Sequence, residues 1–134
     1  MDAPEVTAKD IMAFVPAQGR YEDAIRFYEA IGFAVDFRSD SISVIRKDQC
    51  RFFLQNVAWD GARDNFMMNL EVNDLDAWWE MLSGLNLSER FHGVRVRDPQ
   101  DYPWGKREIH LIDPCGVLWH ISHTPDPGQP MSAH

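Results

Sequence analysis

Residues 101–122, DYPWGKREIHLIDPCGVLWHIS, bring together Trp104, Arg107, Glu108, His110, Cys115 and His120. Imidazole and carboxylate groups are the donors that hold divalent ions, move protons and orient polar ligands. REIHLI and GVLWHIS read as two strands, and the Asp113-Pro114-Cys115-Gly116 segment between them reads as a turn. Side chains alternate along a strand, so Leu118, His120 and Ser122 share one face, and Trp119 and Ile121 share the other. For His110, alternation leaves both faces open. Upstream, FMMNLEV places Met67, Asn69 and Glu71 on one face, and Met68, Leu70 and Val72 on the other. A face carrying Asn69, Glu71, His120 and Ser122 is too polar for a core and reads as a pocket surface.

Nucleophilic catalysis has little support. Cys115 sits inside the turn with no neighbouring His or basic residue to lower its pKa, and Cys50 opens a strand with Arg51 beside it but no neighbouring His to act as a base. No Gly-x-Ser-x-Gly elbow occurs. Of the five tryptophans, Trp78 sits at helical spacing and Trp119 faces inward by alternation, so both are expected in the core. Trp59 lies in a linker and suits a dimer contact. Trp104, in a Pro-Trp-Gly turn, is not demanded by any periodicity.

The elements that position these residues occur twice. In YEDAIRFYEAIGF, Ala24, Phe27, Tyr28 and Ile31 follow the i, i+3, i+4, i+7 pattern of an amphipathic helix, with Gly32 as its stop. In NDLDAWWEMLSGL, Leu75, Trp78, Trp79 and Leu82 repeat the pattern, with Asn73 or Asp74 as cap and Gly84 as end. One strand segment precedes each helix, IMAFV and FMMNLEV. Three follow each: AVDFRS, SISVIRK and CRFFLQNV, then GVRVR, REIHLI and GVLWHIS. The chain is therefore an α+β protein of two βαβββ modules, at about 10–56 and 65–122, within one domain spanning 1–134. Residues 56–65 form the linker, and the Pro-rich 124–134 segment is an expected disordered tail.

A net charge of −8, from 13 basic and 21 acidic residues, argues against a nucleic-acid partner and is compatible with a cationic ligand. The longest apolar runs are a few residues, so no membrane span is expected. MDAPEVTAKD lacks the basic and apolar regions of a secretory signal. With two cysteines far apart in sequence, a cytoplasmic protein with reduced thiols is expected.

The paired modules, FYEAIGF closing the first helix, EVNDLDAW opening the second, and Pro103-Trp104-Gly105, Arg107-Glu108 and Asp113-Pro114-x-Gly116 near the end resemble the glyoxalase / bleomycin resistance / extradiol dioxygenase superfamily of the vicinal oxygen chelate fold, and bleomycin resistance proteins most closely. The resemblance covers roughly residues 10–122. It implies mixed sheets that curl into a cup-shaped cleft, helices on the outer face, and a homodimer whose chains share each pocket.

In metal-dependent members, the resemblance implies ligands from the first strand of each module and from later strands. Here IMAFV offers no His, Glu or Gln, Met67 stands where a His is expected, and only His120 matches a family ligand position. The expectation is a protein with no cofactor, no catalytic residue and no metal. The leading reading is a small-molecule-binding protein of the bleomycin resistance type, which sequesters a flat cationic ligand without chemistry, with antibiotic resistance as the role the resemblance implies. The alternatives are a metal-dependent glyoxalase, lyase or dioxygenase of the same fold, and a fold relative that binds a metabolite or a protein partner. Trp104 is the first choice for stacking on the ligand, and Phe37, Ile42, Phe53, Gln55, Met67, Asn69, Glu71, Arg107, Glu108 and His120 complete the expected ligand-binding set. Arg107 and Glu108 can pair with each other or orient a polar ligand group.

Overall fold

The structure, a computed structural model, describes residues 5–62 and 65–125. The first module runs β1 (Phe14–Pro16), α1 (Tyr21–Ala30), β2 (Ala34–Arg38), β3 (Ile42–Lys47) and β4 (Cys50–Gln55). The second runs β5 (Met67–Glu71), α2 (Leu75–Ser83), a four-residue α3 (Leu87–Arg90), β6 (Arg95–Asp101), β7 (Arg107–Ile112) and β8 (Leu118–His123). Each module carries a mixed four-stranded sheet, ordered β1-β4-β3-β2 and β5-β8-β7-β6, with β1 and β4, and β5 and β8, paired in parallel. This is the expected α+β repeat of curled mixed sheets. All but residues 124 and 125 of the expected disordered tail lie outside the described residues. Among the described residues no helix is long and apolar enough to cross a membrane.

The predicted helix faces are the buried ones in α1, where Ala24, Phe27, Tyr28 and Ile31 are all buried. Gly32 ends that helix at a φ of +98°, a left-handed conformation that glycine adopts without penalty. In α2, Asp74 caps the helix by accepting from the Ala77 N–H at 3.0 Å. Leu75 and Leu82 are buried, whereas Trp78 and Trp79 are only partly so. Trp78 therefore does not sit in the core as its spacing predicts: it lies at the rim, where the Lys47 ammonium stands 5.9 Å from its ring centre. The tryptophan that fills the core is Trp119. Strand β6 extends past the expected GVRVR through Pro99, because it is an edge strand and its pairing with β7 slips between Arg97 and Gln100. Proline, which lacks an N–H, is tolerated at such a bulge.

Both modules contribute to one hydrophobic core. Tyr28 and Phe52 of the first module meet Trp119 of the second, with ring centres 5.9 and 5.4 Å apart. At this junction lies the buried carboxylate Asp113. Its Oδ1 accepts from the N–H groups of Cys115 (2.8 Å) and Val117 (2.9 Å), and its Oδ2 accepts from the Tyr28 hydroxyl. The Tyr28 oxygen in turn accepts from the Trp119 indole N–H at 2.9 Å. Helix α1 is thereby tied to the β7–β8 turn by a fully partnered polar chain inside an apolar core.

Two outcomes follow. Tyr28→Phe leaves Asp113 and the Trp119 N–H each short of a buried partner, so unfolding in denaturant should become easier by about 1–3 kcal/mol. Burial pushes the Asp113 carboxyl up to about 6, against the pull of the Tyr28 hydroxyl and the turn N–H groups. The folded chain holds that proton more tightly than the unfolded chain. This contribution to stability is therefore full below about pH 4 and is lost as the pH rises through about 6. In denaturant melts, the stability advantage of the native sequence over Asp113→Asn should be larger at about pH 4.5 than at about pH 7.5.

Candidate functional site

The hairpin β7–β8 sets the site. Its register places His110 directly opposite His120 and Glu108 opposite Ser122. Strand β5 adds Asn69 beside His120 and Glu71 beside Ser122, and β6 adds Arg97 beside His110 and Gln100 beside Glu108. Directly paired residues share a face, so these side chains lie on the side opposite the buried Ile109, Leu111, Trp119 and Ile121. The pairing decides the question that alternation left open: His110 lies on the site face.

Glu108 is the centre of this face and is 2% exposed. Its Oε1 lies 2.8 Å from both His110 Nε2 and His120 Nδ1, and its Oε2 accepts from the Trp104 indole N–H at 2.9 Å. Burial raises the affinity of this carboxyl for its proton. The three N–H partners, His120, Trp104 and His110, outweigh burial and hold it below the usual glutamate range. Glu108 is therefore an anion that accepts only, so both imidazoles turn an N–H towards it. His110 then carries its lone pair on Nδ1, where the Tyr102 hydroxyl stands at 3.3 Å. The other nitrogen of His120, Nε2, lies 3.5 Å from the Met67 sulfur.

Above the carboxylate stands an aromatic column. Tyr102 is stacked between Trp104 (ring centres 4.7 Å, planes 17° apart) and His110 (4.9 Å, 19°). Trp104 remains 60% exposed although its nitrogen and its Tyr102 contact fix the ring. Along the rim, Glu71 accepts from Lys106 Nζ (3.3 Å), the Ser122 hydroxyl (3.0 Å) and the Thr124 N–H (2.8 Å). Burial raises its pKa, but the bonds from Thr124, Ser122 and Lys106 prevail and the net shift is downward. The buried Ser122 hydroxyl also lies 2.9 Å from Asn69 Oδ1.

The expected site residues separate into three groups. Met67, Asn69, Glu71, Glu108 and His120 share the polar face, with Trp104 above it. Phe37, Ile42, Phe53 and Gln55 instead form a surface on the first sheet, where Phe37 and Phe53 both oppose Val44 and Ile42 opposes Gln55. Phe53 stacks on Phe14 at 4.6 Å, and Phe14 and Phe37 remain about half exposed. The Gln55 Oε1 is buried there with no hydrogen-bond partner among the described residues. Arg107 points to the opposite side of β7 from Glu108 and pairs with Asp101 at 3.2 Å, so of the two roles open to it in the sequence the pairing with Glu108 is not the one taken. Sequence reasoning missed Tyr102, which lies in the turn between β6 and β7 where strand alternation gives no signal. It singled out His110 but not its side, which the strand register fixes.

The set of ligands that the resemblance implied is not present: β1 is Phe14-Val15-Pro16, and β5 begins with Met67. Cys115 is buried and its thiol is pushed well up by that burial, which disfavours the nucleophilic thiolate at neutral pH. His123 is partly buried and within hydrogen-bond distance of the Val72 carbonyl, at 3.1 Å.

The sequence profile of the Glyoxalase/Bleomycin resistance protein/Dioxygenase superfamily matches residues 13–121. The chain belongs to this superfamily. Among solved structures, it is similar to a bleomycin-binding protein complexed with bleomycin, at 20% identity and a TM-score of 0.74, over 88% of this chain and all of the other. A bleomycin resistance determinant encoded on transposon Tn5 is 21% identical, with a TM-score of 0.73 over 87% of this chain and 98% of the other. A lactoylglutathione lyase from Agrobacterium tumefaciens is 15% identical, with a TM-score of 0.66 over 92% of this chain and all of the other. At these identities the likeness is one of fold, and the fold hosts both binding and lyase proteins. Among curated protein sequences, none matches the chain.

Glu108 accepts three side-chain N–H groups, so its replacement should cost more than that of its exposed neighbour. Glu108→Gln sets an amide N–H₂ against at least one of those donors. Denaturant melts should show a loss of about 1–3 kcal/mol, compared with under about 1 kcal/mol for Glu71→Gln at the rim.

Proposed function

We propose that this protein is a small-molecule-binding member of its superfamily. In this reading it sequesters a flat cationic ligand in clefts of a homodimer and performs no reaction on it. The observation that carries the reading is Trp104: an indole held by Glu108 and stacked on Tyr102, yet more than half exposed. A ring already fixed before binding loses little freedom when a planar ligand stacks on it. The Glu108 and Glu71 carboxylates below and beside it favour a cation. The exposed Phe14 and Phe37 on the first sheet supply an apolar wall that, in a symmetric dimer, covers the polar face of the partner chain. Such a protein acts by stoichiometric capture in the cytoplasm, and its protective effect scales with its amount. Bleomycin-type compounds are the first ligands to test, because two of the similar structures are a bleomycin-binding protein and a bleomycin resistance determinant.

Titration calorimetry with bleomycin should give a dissociation constant that Trp104→Ala weakens by about 1–3 kcal/mol, the range for losing an aromatic anchor. Folding stability of the same variant should change by less than its binding does. Trp119→Ala, in the core, should lose about 3–5 kcal/mol in denaturant melts. If Trp104→Ala instead loses stability and leaves affinity unchanged, the ring is structural and the reading fails. Sedimentation at micromolar concentration should show a dimer, and a monomer would remove the shared cleft.

A further inference from the structure

We propose that Glu108, His110 and His120 form a binding site for a single divalent transition-metal ion of the zinc, cobalt or nickel kind. Three donor atoms, Glu108 Oε1, His110 Nε2 and His120 Nδ1, lie within 4.8 Å of one another, and the carboxylate oxygen is 2.8 Å from each nitrogen. Around an ion with bonds of about 2.1 Å, neighbouring ligand atoms stand about 3.0–3.4 Å apart. Admitting the ion requires the carboxylate oxygen to draw back from each nitrogen by a few tenths of an ångström, with the two nitrogens already within 4.8 Å of each other.

The scaffold suits that task. His110 and His120 are direct partners in the β7–β8 ladder, and Glu108 lies two residues along the same strand. All three side chains therefore leave one rigid hairpin on one face. Outer partners are already in place. The Trp104 N–H occupies Glu108 Oε2 and leaves Oε1 for the ion, and the Tyr102 hydroxyl meets His110 Nδ1. Two imidazoles and one carboxylate match borderline divalent ions, whereas magnesium and calcium prefer all-oxygen shells. Three protein ligands leave further coordination positions open towards the exposed Met67 and Asn69 rim.

Proton accounting is balanced. Without the ion, each neutral imidazole donates to Glu108. With it, His110 carries its proton on Nδ1 and donates to the Tyr102 oxygen, which can accept. His120 carries its proton on Nε2, beside the Met67 sulfur. A ring that is neutral beforehand only changes tautomer, and a doubly protonated ring releases one proton to solvent.

The test uses the full chain and the metal alone, so it stands or falls separately from the small-molecule reading. Protein freed of metal with a chelator is titrated with Zn²⁺ by calorimetry and with Co²⁺ by visible absorption. The expected result is one equivalent bound, with protein-dependent cobalt bands and no competition from excess Mg²⁺. His110→Gln and His120→Gln should each weaken zinc binding by more than about tenfold. His123→Gln and Cys50→Ser should leave it unchanged, and melts should show that all four variants fold. Equal zinc affinity in the native chain and the His110→Gln/His120→Gln double variant overturns the proposal, as does loss of binding on His123→Gln alone. Absence of any stoichiometric binding to the native chain overturns it too.

Discussion

The buried carboxylate of Asp113 is the constraint on which the rest of the architecture leans. A charge-capable group inside an apolar core is tolerable only when every acceptor position is used. Here one oxygen binds the turn's own N–H groups and the other binds Tyr28, a residue of the first module's helix. The same contact therefore closes the β7–β8 turn and docks the two modules. Gly116 completes the turn at a φ of +86°. A loop of fixed conformation between two strands fixes their register. That register puts His110 across from His120.

Glu108 solves the same problem differently. It is as deeply buried as Asp113, yet its partners are side chains, Trp104, His110 and His120, and not backbone. A carboxylate satisfied by backbone N–H groups is locked into the fold. One satisfied by imidazoles and an indole stands on a face that ligands can reach, and its partners can turn to other duties. The contrast separates the two carboxylates into a structural group and a site group. Their proton affinities move in opposite directions for the same reason: burial wins at Asp113, and donated hydrogen bonds win at Glu108.

The two sheets also divide the work. The first presents an apolar surface of Phe14, Phe37 and Phe53, and the second a polar one built around Glu108. Residues expected to line one cup thus belong to two surfaces of different character. Apolar area left open on a sheet is costly in water and favours cover by another surface. This is the physical ground on which a dimer forms part of the functional reading.

The sequence alone determined the repeated βαβββ order, because helical and alternating periodicities are local properties of the chain. It also determined the inward faces of α1, β5 and β8: Phe27, Tyr28, Leu70, Trp119 and Ile121 are buried where their spacing predicted. Turn and cap chemistry was legible for the same reason at Asp74, Gly32 and the Asp113–Gly116 segment. Tertiary structure decided what depends on neighbours distant in sequence. Trp78 fits the helical pattern but meets a rim and not a core, since helical spacing gives direction and not depth of burial. Arg107 and Glu108 are adjacent in sequence yet lie on opposite sides of β7, each with its own partners. His110 had two possible faces until strand pairing chose one. The convergence of Trp104, His110 and His120 on a single carboxylate is a property of register, and register is set by contacts between strands, not within them.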